Sequence, residues 1–204
     1  MTMLDRWQRT WQEAGASNSD DITFHRILTC YSEPHRKYHT VQHLRECFAH
    51  LEELRSIADR PIEIEIALWF HDAIYNTSRK DNEVRSARWA RDTALSSDLP
   101  MDVAERIHSL VLVTKHNESP VGADAEVLVD VDLGILGSEP NRFDEYEDQI
   151  REEYSWVSGP LYRIERRRIL QGFANRQFIY CTTRFRELYE AQARVNIARS
   201  LARL

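Results

Sequence analysis

Glycine and proline are scarce in this chain, six of each in 204 residues, about half of the roughly 12% found in ordinary globular usage. That scarcity argues against a turn-rich β-sandwich. Lysine is scarcer still: Lys37, Lys80 and Lys115 are the only three, so 24 of the 27 basic residues are arginines. Compositional bias accounts for most of them, and forks for binding phosphate are the functional alternative. Cysteine is limited to Cys30, Cys47 and Cys181, an odd number with no CxxC spacing and no recognisable secretory leader before them. They read as reduced, mostly buried thiols, and the expected location is the cytoplasm. No apolar run approaches the roughly 20 residues of a membrane span, because Glu63, Glu65, His71 and Asp72 interrupt the most apolar stretch, Ile62 to Tyr75. An excess of positive charge is also lacking. The net charge of −6 argues against nucleic acid and anionic lipid as partners. A glycine-rich loop that could cradle phosphates is absent.

What is present is a core. Hydrophobic residues make up 42% of the chain and include five tryptophans, eight tyrosines and seven phenylalanines, enough to exclude a disordered protein. Apolar residues recur at helical spacing along most of the length. Leu4, Trp7 and Trp11 form a first group, and Ile22, Ile27 and Leu28 a second. From Tyr38, Val41, Leu44, Phe48, Leu51 and Leu54 continue to Pro61, which can open the next helix and carry it to about Tyr75. Two further helices are expected around Val84–Ala94 and Val103–Lys115. Three close the chain: an acidic one over Phe143–Trp156, a basic one over Leu161–Phe178 and a long one over Thr183–Leu204. Val127 to Leu133 is ambiguous, and its alternation of branched and polar residues favours a strand on periodicity alone. Neither a repeat nor a linker-like shift in composition interrupts the sequence, so one domain over residues 1–204 is expected.

Seven of the eight histidines fall between His35 and His116. His39 and His43 are four apart, so on a helix both face one ligand. His71 and Asp72 follow Ala67-Leu68-Trp69-Phe70, which puts an imidazole and a carboxylate at the inner end of a buried helix. Uncompensated charge is expensive there. A cation would compensate it, and nitrogen with carboxylate oxygen suits Mn, Fe, Co, Ni or Zn, or Mg with more oxygen ligands. Asp130 and Asp132 are both available to complete such a site.

The order His43, His71-Asp72 and an aspartate near position 132 resembles the HD superfamily of metal-dependent phosphohydrolases, with its pattern H…HD…D. Tyr38-His39-Thr40-Val41-Gln42-His43 also resembles the YHNxxH stretch of the cyclic-nucleotide phosphodiesterase branch, with Thr40 in place of Asn. Further segments resemble a bacterial group of predicted metal-dependent HD phosphohydrolases, and together they cover nearly the whole chain. They are Pro34 to His39, Phe70 to Tyr75, Asn82-Glu83, Thr114-Lys115-His116, Asp130 to Gly137, Ile150 to Tyr154 and Ala193 to Asn196. There is no acidic residue at positions 73–75, so the HDxxE arrangement of the nucleotidases is missing.

The resemblance implies an all-α HD-domain helical bundle, which makes Val127–Leu133 helical after all. It implies His43, His71, Asp72 and Asp132 as ligands of one or two divalent ions, with Asp132 preferred over Asp130 because Val131-Asp132-Leu133 matches the Ala-Asp-Leu form of the motif. His39 is then the proton donor to the leaving group. Glu83 and His116 become candidate catalytic or metal-supporting residues, and Arg36 and Arg151 candidate phosphate-binding residues. The implied partner is a small phosphorylated substrate such as a nucleotide, and the final helix offers a surface for homo-oligomerisation. The competing reading is a metal-bound but catalytically weak HD module that senses a nucleotide or a protein.

Overall fold

The most apolar helix of the chain became its centre. In the computed structural model, which describes residues 1–116 and 119–204, α4 spans Pro61–Phe70 and every residue from Ile64 to His71 is buried. A helix that is hydrophobic on all sides has to be surrounded, and α4 is. Against it pack α1 (Met3–Glu13), α3 (Val41–Leu54), α5 (Asn82–Ser96), α6 (Met101–Val113) and α7 (Ala123–Asp132). Helix α2 (Asp21–Cys30) covers α1, and a 3₁₀ turn, Leu133–Gly137, carries the chain into α8 (Pro140–Glu153), α9 (Gly159–Ala174) and α10 (Thr183–Arg203). The described residues contain no strand, so the all-α expectation holds. None of these helices is long and apolar enough to cross a membrane.

Local signals set most boundaries. Thr2 and Asp5 form a reciprocal capping box at α1, and Thr40 and Thr182 accept backbone N–H groups at the starts of α3 and α10. Pro61 and Pro140 occupy first-turn positions, where a missing N–H costs nothing. Four expectations need correction. Helix α4 ends at Phe70, so residues 71–73 are a turn and 74–75 are irregular, not its continuation. Helix α3 begins at Val41, which leaves His39 in the preceding turn, not on one helix with His43. Helix α8 ends at Glu153 and α9 at Ala174, short of Trp156 and Phe178. Val127–Leu133 is not a strand: residues 127–131 are buried all round in α7, and burial on every side erases the periodicity that separates helix from strand.

Two features fix the packing. Glu65, wholly buried in the central helix, takes 2.8 Å bonds from Arg6 Nε, Thr10 Oγ1 and Arg55 Nη1, tying α4 to α1 and to the end of α3. Burial opposes its ionisation, but the Arg55 and Arg6 charges and the Thr10 bond outweigh it and hold the carboxyl below its usual value. At the other end α10 lies directly on the 3₁₀ turn. A Cβ on Gly137 would stand 2.6 Å from Tyr189 Cβ and 2.9 Å from its backbone oxygen. Asn196 of α10, also buried, donates to Leu136 O at 3.0 Å and Ser138 O at 2.8 Å.

These contacts predict stability effects measurable by urea unfolding. Glu65→Ala removes the buried carboxylate shared by Arg6, Thr10 and Arg55, leaving the arginines to Glu52 and Glu13 at the surface, and should cost about 1–3 kcal/mol. Gly137→Ala, which must push helix α10 away, should cost about 1–3 kcal/mol. A loss below 0.5 kcal/mol in either variant would contradict the corresponding contact.

Candidate metal centre

Three separate elements converge on one point. His43 comes from the first turns of α3, His71 and Asp72 from the end of α4, and Asp132 from the last residue of α7. His43 Nε2 lies 3.1 Å from His71 Nε2, 3.6 Å from Asp72 Oδ2 and 3.3 Å from Asp132 Oδ1. His71 Nε2 lies 3.1 Å from Asp72 Oδ2 and 3.6 Å from Asp132 Oδ1. Metal bonds of 2.0–2.2 Å place neighbouring donors roughly 3.0–3.5 Å apart around a shared ion, so these separations are close to the edges of a coordination polyhedron. The orientation of His71 is fixed as well. Its Nδ1 lies 2.7 Å from Leu68 O; donation there leaves the Nε2 lone pair facing the cluster.

The electrostatics of the cluster point the same way. Burial opposes ionisation of Asp72 and Asp132. It is outweighed at Asp72 by the charges of His71 and His39, and at Asp132 by the His116 and His43 bonds together with His71, so both carboxyls stay well below the usual carboxylate range. Burial would also lower His71, yet Asp72 and Asp132 pull it up to about 9. Two ionised carboxylates thus surround two imidazole nitrogens that face each other, an arrangement that calls for positive charge between them. The residues present fit a bound cation.

A sulfur is also near. The donor atoms of His43, Cys47, His71 and Asp132 lie within 4.8 Å of one another, so this buried group can hold a metal ion. Cys47 sits one turn after His43, a spacing visible in the sequence but not used there. Its Sγ is 3.7 and 3.6 Å from the two nitrogens of the His43 ring, almost equidistant, so it rests against the ring and not along the Nε2 lone pair. Asp72 Oδ2 comes closer to His71 Nε2 than that. Burial, followed by the Asp132, Asp72 and Glu46 charges, raises the Cys47 thiol well above its ordinary value.

His39 stands beside the cluster in the turn before α3, and Glu153 holds it there. Glu153 Oε1 accepts the backbone N–H groups of Lys37, Tyr38 and His39 at 2.8, 2.9 and 3.0 Å. Its other oxygen is 2.7 Å from His39 Nδ1 and accepts from Tyr75 Oη at 2.8 Å. The His39 ring stacks on Tyr75 with centroids 4.1 Å apart. Burial disfavours both charges, but the His39 bond and charge and the backbone N–H groups hold Glu153 at about 2. For His39, Asp72 and Glu153 overcome burial and raise the imidazole. Glu153 belongs to the Ile150–Tyr154 segment noted in the sequence, where nothing indicated this role: its partners, Lys37 to His39 and Tyr75, are far away along the chain.

The remaining candidates are dispersed. His116, in left-handed backbone at φ 53°, lies 2.9 Å from Asp132 Oδ2 and so steadies the carboxylate whose other oxygen faces His43. Glu83, in the first turn of α5, lines the cavity above the cluster and has no hydrogen bond among the described residues. The structure places Arg36 and Arg151 away from the expected phosphate contact. Arg36 is 4% exposed and donates to Asp72 O, Ala73 O and His39 O, stapling the HD turn to the His39 turn. Arg151 donates to Tyr154 O and Val157 O beyond the end of α8. Asp130 touches no histidine among the described residues, and its part is structural. It accepts from Cys181 N, Thr182 N and Thr182 Oγ1 at 2.7, 2.7 and 2.6 Å and anchors the start of α10. Helical geometry separates it from Asp132 by about 200°, which is why the two aspartates serve opposite sides of α7.

Elemental analysis of purified variants tests this division. Asp132→Asn and a His71→Ala, Asp72→Ala double change should lose most bound divalent metal. Asp130→Asn should keep it and unfold at lower urea, and Cys47→Ser should keep it as well. Metal lost from Cys47→Ser but retained by Asp72→Ala would make sulfur, not Asp72, the fourth donor. No protein-family model, curated protein or solved structure matches the chain, so a functional reading stands on these donors, their geometry and the motifs that carry them.

Proposed function

We propose that the chain is a metal-dependent phosphohydrolase of the HD type, acting on a phosphate ester or anhydride of a small molecule such as a nucleotide. The observation that carries this reading is the pairing of a largely buried cluster of His43, His71, Asp72 and Asp132 with a separate histidine, His39, held beside it by Glu153. The H…HD…D order resembles that superfamily, and the short separations among His43, His71, Asp72 and Asp132 support the reading, with Cys47 also near them. Two carboxylates match the charge of a divalent ion, and the nitrogen–oxygen donor set suits Mn, Fe, Co, Ni or Zn, with Mg the harder alternative. One ion fits the four donors. Asp72, through its second oxygen, is the residue that would reach another. A bound divalent ion would supply an acidified water and polarise the phosphoryl group.

The chain's own residues perform the remaining work. Glu153 accepts from His39 Nδ1, which leaves Nε2 as the atom that holds a proton for the departing oxygen. His116 fixes the plane of Asp132 and keeps one of its oxygens turned to His43. Glu83, on the cavity wall without a partner among the described residues, is placed to orient water. Arg36 acts through structure alone, by holding the turn of Asp72 against the turn of His39.

A phosphate-release screen over nucleoside mono-, di- and triphosphates, cyclic nucleotides and simple esters, each with Mn, Mg, Co, Ni and Zn, should give metal-dependent turnover. No release from any of them by metal-loaded protein would overturn the reading. His39→Ala should retain metal and lose about 10²- to 10⁴-fold in rate, the usual reach of acid–base catalysis. Glu153→Gln removes the negative charge that raises His39, so the basic limb of the pH–rate profile should move to lower pH. An unmoved limb would show that His39 does not deliver the proton.

A further inference from the structure

The cavity above the metal cluster has a volume of about 630 Å³, within the range of small-molecule sites. Its floor is polar, with His39, Asp72, His116 and Asp132, and its walls are largely apolar. One wall is the 3₁₀ turn and α8, with Leu133, Ile135, Leu136, Tyr146 and Ile150. The opposite wall is α9, which contributes Leu161, Tyr162, Ile169 and Phe173, residues spaced so that they form one stripe along the helix. Tyr162 and Phe173 pack partly against the core, but Leu161 and Ile169 do not. Only Arg166 and Leu170 of α9 are buried, while Leu161 is 52% and Ile169 41% exposed although both face the cavity. Trp156 stands at the rim, 62% exposed, with its indole Nε1 donating to Thr77 Oγ1 at 2.8 Å. An apolar helix face turned to a polar-floored cavity is accounted for by a ligand that is polar at one end and apolar at the other.

Charge narrows the class. Lys115 and Arg166 are the lysine and arginine among the lining residues, and Arg166 is paired with Glu147 and lies over the Tyr146 ring. Glu83 and Glu165 stand on the same walls. A triphosphate or pyrophosphate extending from the metal would meet two carboxylates and hydrocarbon, with Lys115 as the one lining cation not paired among the described residues. Arg36 and Arg151, which could have offset that charge, are committed to backbone carbonyls.

We infer that the substrate is a phosphomonoester carrying a single phosphate and a flat apolar or aromatic group, with the phosphate at the metal cluster and the ring between α9 and the 3₁₀ turn. This rests on the phosphohydrolase reading. A hydrocarbon aryl ring and a nucleobase share this chemistry.

The test uses full-length protein loaded with Mn²⁺. Hydrolysis of 1-naphthyl phosphate, adenosine monophosphate, glycerol 3-phosphate, ATP and pyrophosphate is compared by kcat/KM, and binding of the non-hydrolysable 1-naphthylphosphonate is measured by calorimetry. Burying one ring should favour naphthyl phosphate or adenosine monophosphate over glycerol 3-phosphate by about 10- to 100-fold, and ATP should fall below adenosine monophosphate. Which of the two aromatic esters leads identifies the source of the ring. Ile169→Glu should raise KM for the better ester and weaken naphthylphosphonate binding about 10-fold. Ile164→Glu, on the same helix but outside the cavity, should change neither. ATP or pyrophosphate equal to the aromatic esters, or an Ile169→Glu variant indistinguishable from Ile164→Glu, would overturn the inference and leave the phosphohydrolase reading intact. Absence of all hydrolysis would overturn that reading instead; the inference would then stand or fall on whether naphthylphosphonate binds and loses affinity in Ile169→Glu.

Discussion

Two ionised carboxylates and two imidazoles face one another in a space of a few ångströms, the imidazoles buried and the carboxylates open only to the cavity. Such a group is costly in isolation, because a buried charge without an opposite charge is worse than no charge at all. The rest of the structure is arranged around making it tolerable. Helix α4 carries His71 and Asp72 inward and is enclosed by five others; α3 brings His43 from one side and α7 brings Asp132 from another. Supporting bonds then fix each donor: Leu68 O on His71, His116 on Asp132, Arg36 on the backbone of Asp72. A cation at the centre is the simplest neutralisation of what remains.

A second level of organisation concerns what lies next to the cluster. Glu153 gathers three consecutive backbone N–H groups, the His39 ring and the Tyr75 hydroxyl. One carboxylate at the end of α8 therefore sets the conformation of the turn, the tilt of the imidazole and its tendency to hold a proton. The same helix lines the cavity with Tyr146 and Ile150. Positioning of His39 and shaping of the apolar wall are coupled through α8, so movement of that helix would disturb both.

The glycine-poor composition also acquires a meaning in three dimensions. Gly137, one of only six glycines, lies where α10 crosses the 3₁₀ turn too closely for a side chain. Asn196 and Asp130 secure the two sides of that crossing, one on the turn's carbonyls and the other on the N–H groups before α10. The crossing holds in place the turn that begins directly after Asp132, so the position of the fourth donor depends on the packing of the last helix.

Helical content was legible in the sequence wherever a helix is amphipathic, because a 3.6-residue apolar period survives in one dimension. It was lost in α7, where burial on every face leaves no polar side to reveal the period, and the residues alone read as a strand. The clustering of His43, His71, Asp72 and Asp132 was expected from the HD resemblance and from the cost of placing His71-Asp72 after an apolar run, whereas the approach of Cys47 was not. Roles that depend on distant partners were not legible. Glu153 reaches a turn more than a hundred residues earlier, Asp130 reaches the start of α10, and Arg36 and Arg151 use their charge on carbonyls. A side chain's identity states which bonds it can make; only the fold brings the partner within 3 Å and so decides which one it does make.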